Sequence, residues 1–188
     1  MLKVKLWAAA ALVLACGRVP QTHYFIIDVP SPARVTAGKQ VTLWLKSVSA
    51  DAIRSQDRLV YRTSEVEVHY DPYRLWALPP TEMIRQQVLE YCRQSALFRQ
   101  GTEEVPEAGT AVWSASVILR RFEEVVKPEG RIALVAMRWQ VYEGVSAKVI
   151  WAGDVEAEAP IQGDEAGAII RAISQATEQS LQQALQRL

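Results

Sequence analysis

The sequence is poor in the residues that most often carry catalysis or bind metal ions. Its 188 residues include two histidines, His23 and His69, and two cysteines, Cys16 and Cys92. Neither histidine belongs to an HExxH or cysteine–histidine spacing, which disfavours a zinc site. The chain also contains no GxGxxG or GxxxxGK(S/T) phosphate-binding loop and no GxSxG nucleophile motif. These absences predict a protein without enzymatic activity, metal or cofactor.

An excess of charge of either sign is absent as well. The chain has 21 basic and 21 acidic residues, so its formal net charge at pH 7 is zero. Surfaces that bind nucleic acid and polybasic segments that bind membranes both need an excess of positive charge. We therefore predict no nucleic-acid partner. Hydrophobic residues make up 49% of the chain and charged residues 22%, which is ordinary for one globular domain with a buried core.

The N-terminus lacks a hydrophobic run long enough to span a membrane. Lys3 and Lys5 precede an apolar run, Leu6 to Ala15. As a helix this run would rise only about 15 Å, roughly half the hydrocarbon core of a bilayer. A basic start, a short apolar run and small residues at its end are the parts of an export signal. An ordinary cleaved secretory signal is one interpretation of this segment.

Cys16 supports a second interpretation, which we favour. It follows the residues VLA, and that tetrad resembles the bacterial lipobox, in which an aliphatic and a small residue precede an acceptor cysteine. Residues 1–15 would then be a lipoprotein signal peptide, and 16–22 a lipidated tether. Cys16 would carry a covalent diacylglyceryl and N-acyl lipid and could not form a disulfide. Cys92, on the apolar face of a predicted helix, is interpreted as a small hydrophobic residue.

The first half of the mature chain has the alternation of apolar and polar residues that is typical of strands. Turn residues separate four such segments, at residues 24–29, 41–48, 59–63 and 65–70. In the fourth, Val66, Val68 and Tyr70 are expected to share one face. A helix is predicted next, over residues 80–98, with Gly101 as its stop.

The second half has longer strand patterns and a final helix. Strands are predicted over residues 112–126, 131–143 and 147–159, and the short connections at Gly130 and Gly144 favour an antiparallel meander. One face of the last strand should be exposed to solvent. An apolar stripe predicts a helix over residues 164–188. Residues 23–188 are therefore expected to form an α+β domain, in which two long helices pack on an antiparallel-rich sheet.

Several polar and aromatic residues are candidates for functional roles. Glu123 and Glu124 could be read as an acid–base pair, but adjacent residues of a strand point to opposite faces. Ser146 lies in a predicted turn with no base nearby, and His69 is expected to contact solvent or a cross-strand glutamate. Trp76 lies in an irregular stretch before the helix, where it either plugs the open end of the sheet or forms an exposed docking surface. We favour the plug.

Several motifs occur in the order found in a known family. They are the lipobox, a first strand YFII, a strand LVYR and the stretch YRLWALP before the helix. In this order the chain resembles the ABC-type transport auxiliary lipoproteins, although Leu75 occupies a position where arginine is usual. The late strands and the final Gln/Ala-rich helix are also similar, so the resemblance covers essentially the whole mature chain. It implies partner-binding or family-motif roles for Tyr24, Tyr61, Arg62, Tyr73 and Trp76.

The resemblance also implies a function and partners. Family members accompany an ABC permease, an ATPase and a substrate-binding protein with an MCE domain, and they move lipids between bacterial membranes. They resemble the paraquat-inducible lipoprotein component, and their fold is similar to the TolB amino-terminal type domain. We expect a periplasmic subunit that docks the MCE component and assembles into a homo-oligomeric ring. Because Gly17 stands where many inner-membrane lipoproteins have aspartate, we expect the outer membrane rather than the cytoplasmic membrane.

A second hypothesis from another class stays open. The chain could be a stand-alone envelope lipoprotein that scaffolds a secretion or envelope-integrity complex. Adjacent genes for an ATPase, a permease and an MCE protein would favour transport over this alternative. A periplasmic hydrolase is disfavoured, because the sequence shows none of the convergent polar groups that a hydrolase needs.

Overall fold

The computed structural model describes residues 21–145 and 148–188. These residues form eight strands and two helices. The strands are β1 (His23–Phe25), β2 (Lys39–Ala50), β3 (Arg58–Arg62), β4 (Val68–Trp76), β5 (Phe98–Thr102), β6 (Val112–Lys127), β7 (Gly130–Glu143) and β8 (Lys148–Pro160). The helices are α1 (Pro80–Ser95) and α2 (Ala166–Gln186). The predicted signal peptide and Cys16 lie outside the described residues, and their assignments stay predictions.

The long strand β6 lies at the centre of the sheet. One side of β6 pairs with β7, which pairs in turn with β8, and both pairings are antiparallel. The other side is shared, because β2 pairs with the first half of β6 and β3 pairs with its second half. Strand β5 extends the sheet from β2, whereas β4 and then β1 extend it from β3. The antiparallel meander predicted for the three long strands is confirmed.

The prediction that the whole sheet is antiparallel-rich is wrong, because the sheet is mixed. Four of the seven pairings between described strands are parallel, namely β1–β4, β2–β5, β2–β6 and β3–β6. Alternation places side chains on two faces in the same way whichever direction the neighbouring strand takes. The sequence pattern therefore could not distinguish the two directions. The α+β class with two helices is confirmed, and the likeness to the TolB type stays a prediction.

Both helices pack on the sheet through one hydrophobic cluster. Helix α1 contacts β2 and β5, and helix α2 contacts β7 and β8. The predicted apolar stripes are the buried faces of these helices, and they meet large buried residues of the sheet such as Trp139 and Phe122. Burying one such side chain stabilises a fold by about 1.5–3 kcal/mol. On β8, Val155 and Ala157 are buried while Asp154 and Glu156 are exposed, as predicted for a strand with one wet face.

Helix α1 and the strand after it differ from the prediction. The helix ends at Ser95 because Ala96 adopts a left-handed conformation with φ 54°, which caps its C-terminus. The next residues form β5, a strand too short for its alternation to be recognised. Gly101 is not the stop of the helix but part of β5. A Cβ atom on Gly101 would lie 2.9 Å from Cβ of Cys92, so this glycine lets the strand approach α1 closely.

Strand β4 begins three residues later than predicted. The preceding residues form a turn in which the backbone N–H of Glu67 donates to Oγ of Ser64 at 3.1 Å. Such a local hydrogen bond competes with strand pairing. Val66, which was expected to share a face with Val68, consequently lies in this turn with 92% of its surface exposed. At its other end β4 continues through Trp76, which therefore belongs to a strand.

A buried carboxylate connects β3 to β6. Glu123 on β6 is fully buried and accepts hydrogen bonds from Arg62 Nε at 2.7 Å and from Arg54 Nη2 at 3.0 Å. Arg121 forms a third ion pair with the same carboxylate. Only two residue pairs form the described ladder between β3 and β6. The ion pairs at Glu123 therefore add to a short backbone connection.

The first prediction concerns this carboxylate. We expect Glu123→Ala to lower the free energy of unfolding by about 3–5 kcal/mol, because Arg62 would be left buried without a counter-charge and Arg54 would keep Asp51 alone. Urea denaturation of the wild-type and variant domains measures the difference. Glu129→Ala, in the exposed turn between β6 and β7, is the control and should change stability by less than about 0.5 kcal/mol. Equal stabilities of the two variants would contradict the structural role of Glu123.

Cys92 has the environment of a core residue, as predicted. Its side chain is 1% exposed, and burial raises the pKa of the Cys92 thiol to about 12. The thiolate is the reactive form of cysteine, and a thiol with so high a pKa is almost entirely protonated at neutral pH. Cys92 is therefore unreactive in the folded domain.

The second prediction is that this thiol resists modification until the domain unfolds. In an unlipidated chain of residues 17–188, Cys92 is the sole cysteine. Its reaction with Ellman's reagent at pH 8 should be at least about a hundredfold slower in the folded state than in urea. A chain with Cys92→Ser and Ala108→Cys, which moves the thiol to an exposed loop, should react at similar rates in both states. Rapid reaction of folded Cys92 would contradict its burial.

Candidate functional site

An exposed group of large hydrophobic side chains lies on β1 and β4. Tyr24 is 66% exposed, Ile26 59%, Tyr73 41% and Leu78 38%. The parallel pairing of β1 with β4 places Tyr24 opposite Leu75, and the Ala77 N–H donates to the Phe25 carbonyl at 2.8 Å, so these residues lie close together. We call Tyr24, Ile26, Tyr73 and Leu78 the edge patch.

The backbone beside the edge patch is held by Asp71. Its Oδ1 accepts hydrogen bonds from the N–H groups of Tyr73 and Arg74, both at 2.9 Å, and its other oxygen pairs with Arg74 Nε at 3.1 Å. An aspartate that accepts two such bonds fixes a local turn. This turn lies where the register between β3 and β4 shifts, and it presents Tyr73 outward. The outward position of Tyr73 is thus set by hydrogen bonds within the chain and does not require a bound partner protein.

Trp76 lies beneath the edge patch and faces the core. The indole is 3% exposed and packs against Phe122, with 5.1 Å between ring centroids. Phe25, which pairs with Trp76 across β1 and β4, packs against the same core. Burial confirms the interpretation of Trp76 as a packing residue. In this conformation its ring is not available as a docking surface.

Tyr61 and Arg62 lie on the neighbouring strand β3 and have different environments. Arg62 is buried in the cluster around Glu123 and also donates to the carbonyl of Glu65 at 2.9 Å. Tyr61 is half-buried and stacks on His69, with ring centroids 4.8 Å apart. Arg62 therefore contributes to the support of the edge patch, and Tyr61 lies on the far side of β4 from β1.

The described polar side chains that the sequence singled out lie apart from one another. Residues 21–145 and 148–188 contain no group of three or more His, Cys, Asp or Glu side chains that could hold a metal ion. Glu123 and Glu124 are consecutive residues of β6 and point to opposite faces, as predicted. Glu123 lies in the arginine cluster described above, whereas Glu124 pairs with Arg131 at 3.0 Å. His69 contacts Glu67 at 3.2 Å, so its partner is a nearby rather than a cross-strand glutamate. Ser146 lies outside the described residues.

The structure thus separates the residues that the family motifs indicated. Tyr24 and Tyr73 are exposed and close together, whereas Arg62 and Trp76 are buried beneath or beside them. Sequence reasoning missed Ile26 and Leu78, because an apolar residue in or next to a strand gives no sign of its exposure. No helix in the described part of the chain is long and apolar enough to cross a membrane.

Solved structures share this fold. A Xanthomonas campestris protein of family DUF330 has a TM-score of 0.74 and 18% identity, over 87% of this chain and 92% of its own. An uncharacterised protein has a TM-score of 0.72 and 15% identity, over 88% and 97%. A hypothetical protein from Chlamydia trachomatis has a TM-score of 0.53 and 7% identity, over 79% and 95%. At these identities the likeness shows the fold alone.

The sequence itself indicates the family. No curated protein matches the chain significantly. The family model of the ABC-type transport auxiliary lipoprotein component, in contrast, matches residues 24–184, which include the edge patch, the Glu123 cluster and nearly all of both helices. The chain therefore belongs to the ABC-type transport auxiliary lipoprotein component family.

Proposed function

We propose that the protein is a non-catalytic, lipid-anchored periplasmic subunit of an ABC/MCE-type transporter that moves lipids between bacterial membranes. Family membership supports association with an ABC transporter. The observation that carries the docking role is the edge patch, where two tyrosines and two aliphatic residues are exposed together. Exposed tyrosines are enriched among the residues that contribute most to protein–protein binding. The edge patch is thus suited to hold another protein.

The partner in this proposal is the MCE-domain substrate-binding protein that acts with the permease and ATPase. Within the described residues β1 pairs only with β4, so one side of β1 has free backbone groups. A free strand edge can accept an added strand from another protein, and neighbouring side chains then give specificity. Several copies of the subunit, arranged as a ring, would surround the MCE protein with such strand edges.

Lipidation of Cys16 would place this surface near a membrane. Acyl chains add about 0.8 kcal/mol per buried CH₂, so a multiply acylated cysteine does not dissociate from the bilayer. Tyr24 follows Cys16 by eight positions in the chain. An extended chain of that length spans at most about 28 Å, at roughly 3.5 Å per residue. The edge patch would therefore remain within about 28 Å of the outer membrane and meet partners that arrive there.

The alternative is a stand-alone envelope lipoprotein that scaffolds a secretion or envelope-integrity complex. The same edge patch would serve that role, with a different partner. Recovery of an MCE protein with this chain distinguishes the two functions, and so does the presence of ATPase, permease and MCE genes beside its gene.

The third prediction tests the anchor. Cys16→Ala, exported behind a cleavable secretory signal that replaces residues 1–15, should leave the membrane fraction and appear in the soluble periplasmic fraction, because no helix among the described residues is long and apolar enough to cross a bilayer. The wild-type protein should stay with membranes after washing in high salt. If the Cys16→Ala protein still fractionates with membranes, the anchoring proposal is wrong.

The fourth prediction tests the edge patch. In native membranes, chemical crosslinking and purification of the wild-type protein should recover an MCE-domain protein. The double variant Tyr24→Ser, Tyr73→Ser should recover about tenfold less, since loss of two interface tyrosines removes more than about 1.4 kcal/mol of binding. Val66→Ser, Val105→Ser is the matched control, because both valines are exposed elsewhere. Equal recovery by the two double variants would overturn the assignment of the docking surface.

A further inference from the structure

A concave surface beside the end of α1 is lined by cations and contains no carboxylate. Arg34, Lys39 and Arg99 line it together with Thr36, Gln40 and small or apolar residues. We call this surface the basic concavity. Its volume is about 610 Å³, within the range of about 300–1,000 Å³ that small-molecule sites occupy. It lies at the β5 side of the sheet, whereas the edge patch lies on β1 and β4.

The three cations of the basic concavity have no ion pairs within the described part of the chain. Most of the described arginines are paired with carboxylates, as Arg54, Arg62 and Arg138 are. Lys39 instead places its ammonium 5.3 Å from the centre of the Trp113 ring, a cation–π contact that orients the side chain and leaves its charge uncompensated. Uncompensated positive charge in a concave surface attracts anions.

The backbone beneath these cations is fixed. The N–H of Val35 donates to the Ser95 carbonyl at 2.8 Å, and the N–H of Lys39 donates to the Leu97 carbonyl at 2.7 Å. A Cβ atom on Gly38 would lie 2.0 Å from the Ala96 carbonyl oxygen, so only glycine allows this approach. These contacts already satisfy carbonyls at the end of α1. They also hold the backbone segment that carries Arg34 and Lys39 against the residues at the end of α1.

We propose that the basic concavity binds a phosphate group, supplied by the head group of an anionic phospholipid. Two guanidiniums and an ammonium offer more positive charge and more N–H donors than one carboxylate can use. A phosphate has more oxygens to accept these hydrogen bonds. The hydroxyl of Thr36 and the amide of Gln40 add neutral donors to the same surface. The lipid source rests on the proposed function, since a subunit that moves lipids at a membrane meets such head groups. Soluble phosphate esters share the chemistry.

The experiment uses the unlipidated chain of residues 17–188, which keeps every described residue and has no acyl chain of its own. Calorimetry at low salt compares dihexanoyl phosphatidylglycerol below its micelle concentration, dihexanoyl phosphatidylcholine and glycerol 3-phosphate. We expect phosphatidylglycerol to bind most tightly. Arg34→Gln, Arg99→Gln should weaken that binding by about tenfold, which corresponds to about 1.4 kcal/mol.

The matched control is Arg58→Gln, Lys148→Gln. It removes the same charge from two exposed residues that lie outside the basic concavity and have no ion pair in the described part. It should bind phosphatidylglycerol like the wild type. Equal weakening by both double variants would show general charge attraction and overturn the proposal, as would absence of phosphatidylglycerol binding. Glycerol 3-phosphate binding as tight as that of phosphatidylglycerol would support the phosphate site and assign it to soluble esters.

The lipid-binding result can be distinguished from a failure of the proposed transporter function. The basic concavity lies away from the edge patch, so Arg34→Gln, Arg99→Gln should still recover the MCE protein after crosslinking. Loss of lipid binding with normal recovery would leave the transporter role in place. Lipid binding without recovery of any MCE protein would support the phosphate site and count against the transporter role.

Discussion

The position of the edge patch depends on the buried carboxylate of Glu123. In the hydrogen-bonded sheet, β1 and β4 reach β6 through β3, and the β3–β6 ladder has two residue pairs. Guanidiniums from β3, from β6 and from the segment before β3 converge on Glu123 beside that ladder. Removing the carboxylate would leave Arg62 buried without a counter-charge, which is strongly destabilising. The cluster therefore fixes the strands that carry Tyr24 and Tyr73 relative to the core.

Local patterns in the sequence predicted the positions of strands and helices better than the way in which the strands pair. The three long strands and α2 are where periodicity placed them, and α1 begins at the predicted residue but ends earlier, at Ser95. Each of these elements has a long apolar stripe or a clear alternation. The directions of β1 to β5 were not predictable, since pairing direction is decided between segments far apart in the chain. Val66 was misplaced for a local reason, the hydrogen bond at Ser64 that turns the chain before β4.

The family motifs predicted the neighbourhood of the candidate site but not the environment of each residue. Tyr73 and Trp76 occur in one short motif, yet the first is exposed and the second is in the core. Arg62 belongs to a motif that also contains Tyr61, and its guanidinium is used inside the domain. A motif records residues needed for packing together with residues available for contact. Burial, which requires the three-dimensional structure, separates the two kinds.

The shared side of β6 has a further consequence. An open sheet ordinarily has two terminal strands, but this sheet branches at β6, and its described part ends in three, β1, β5 and β8. The domain therefore has three terminal strands at which backbone pairing could continue. Each of these three strands has one side without a strand partner among the described residues. A branched sheet thus has one more terminal strand open to pairing than an unbranched sheet of the same size.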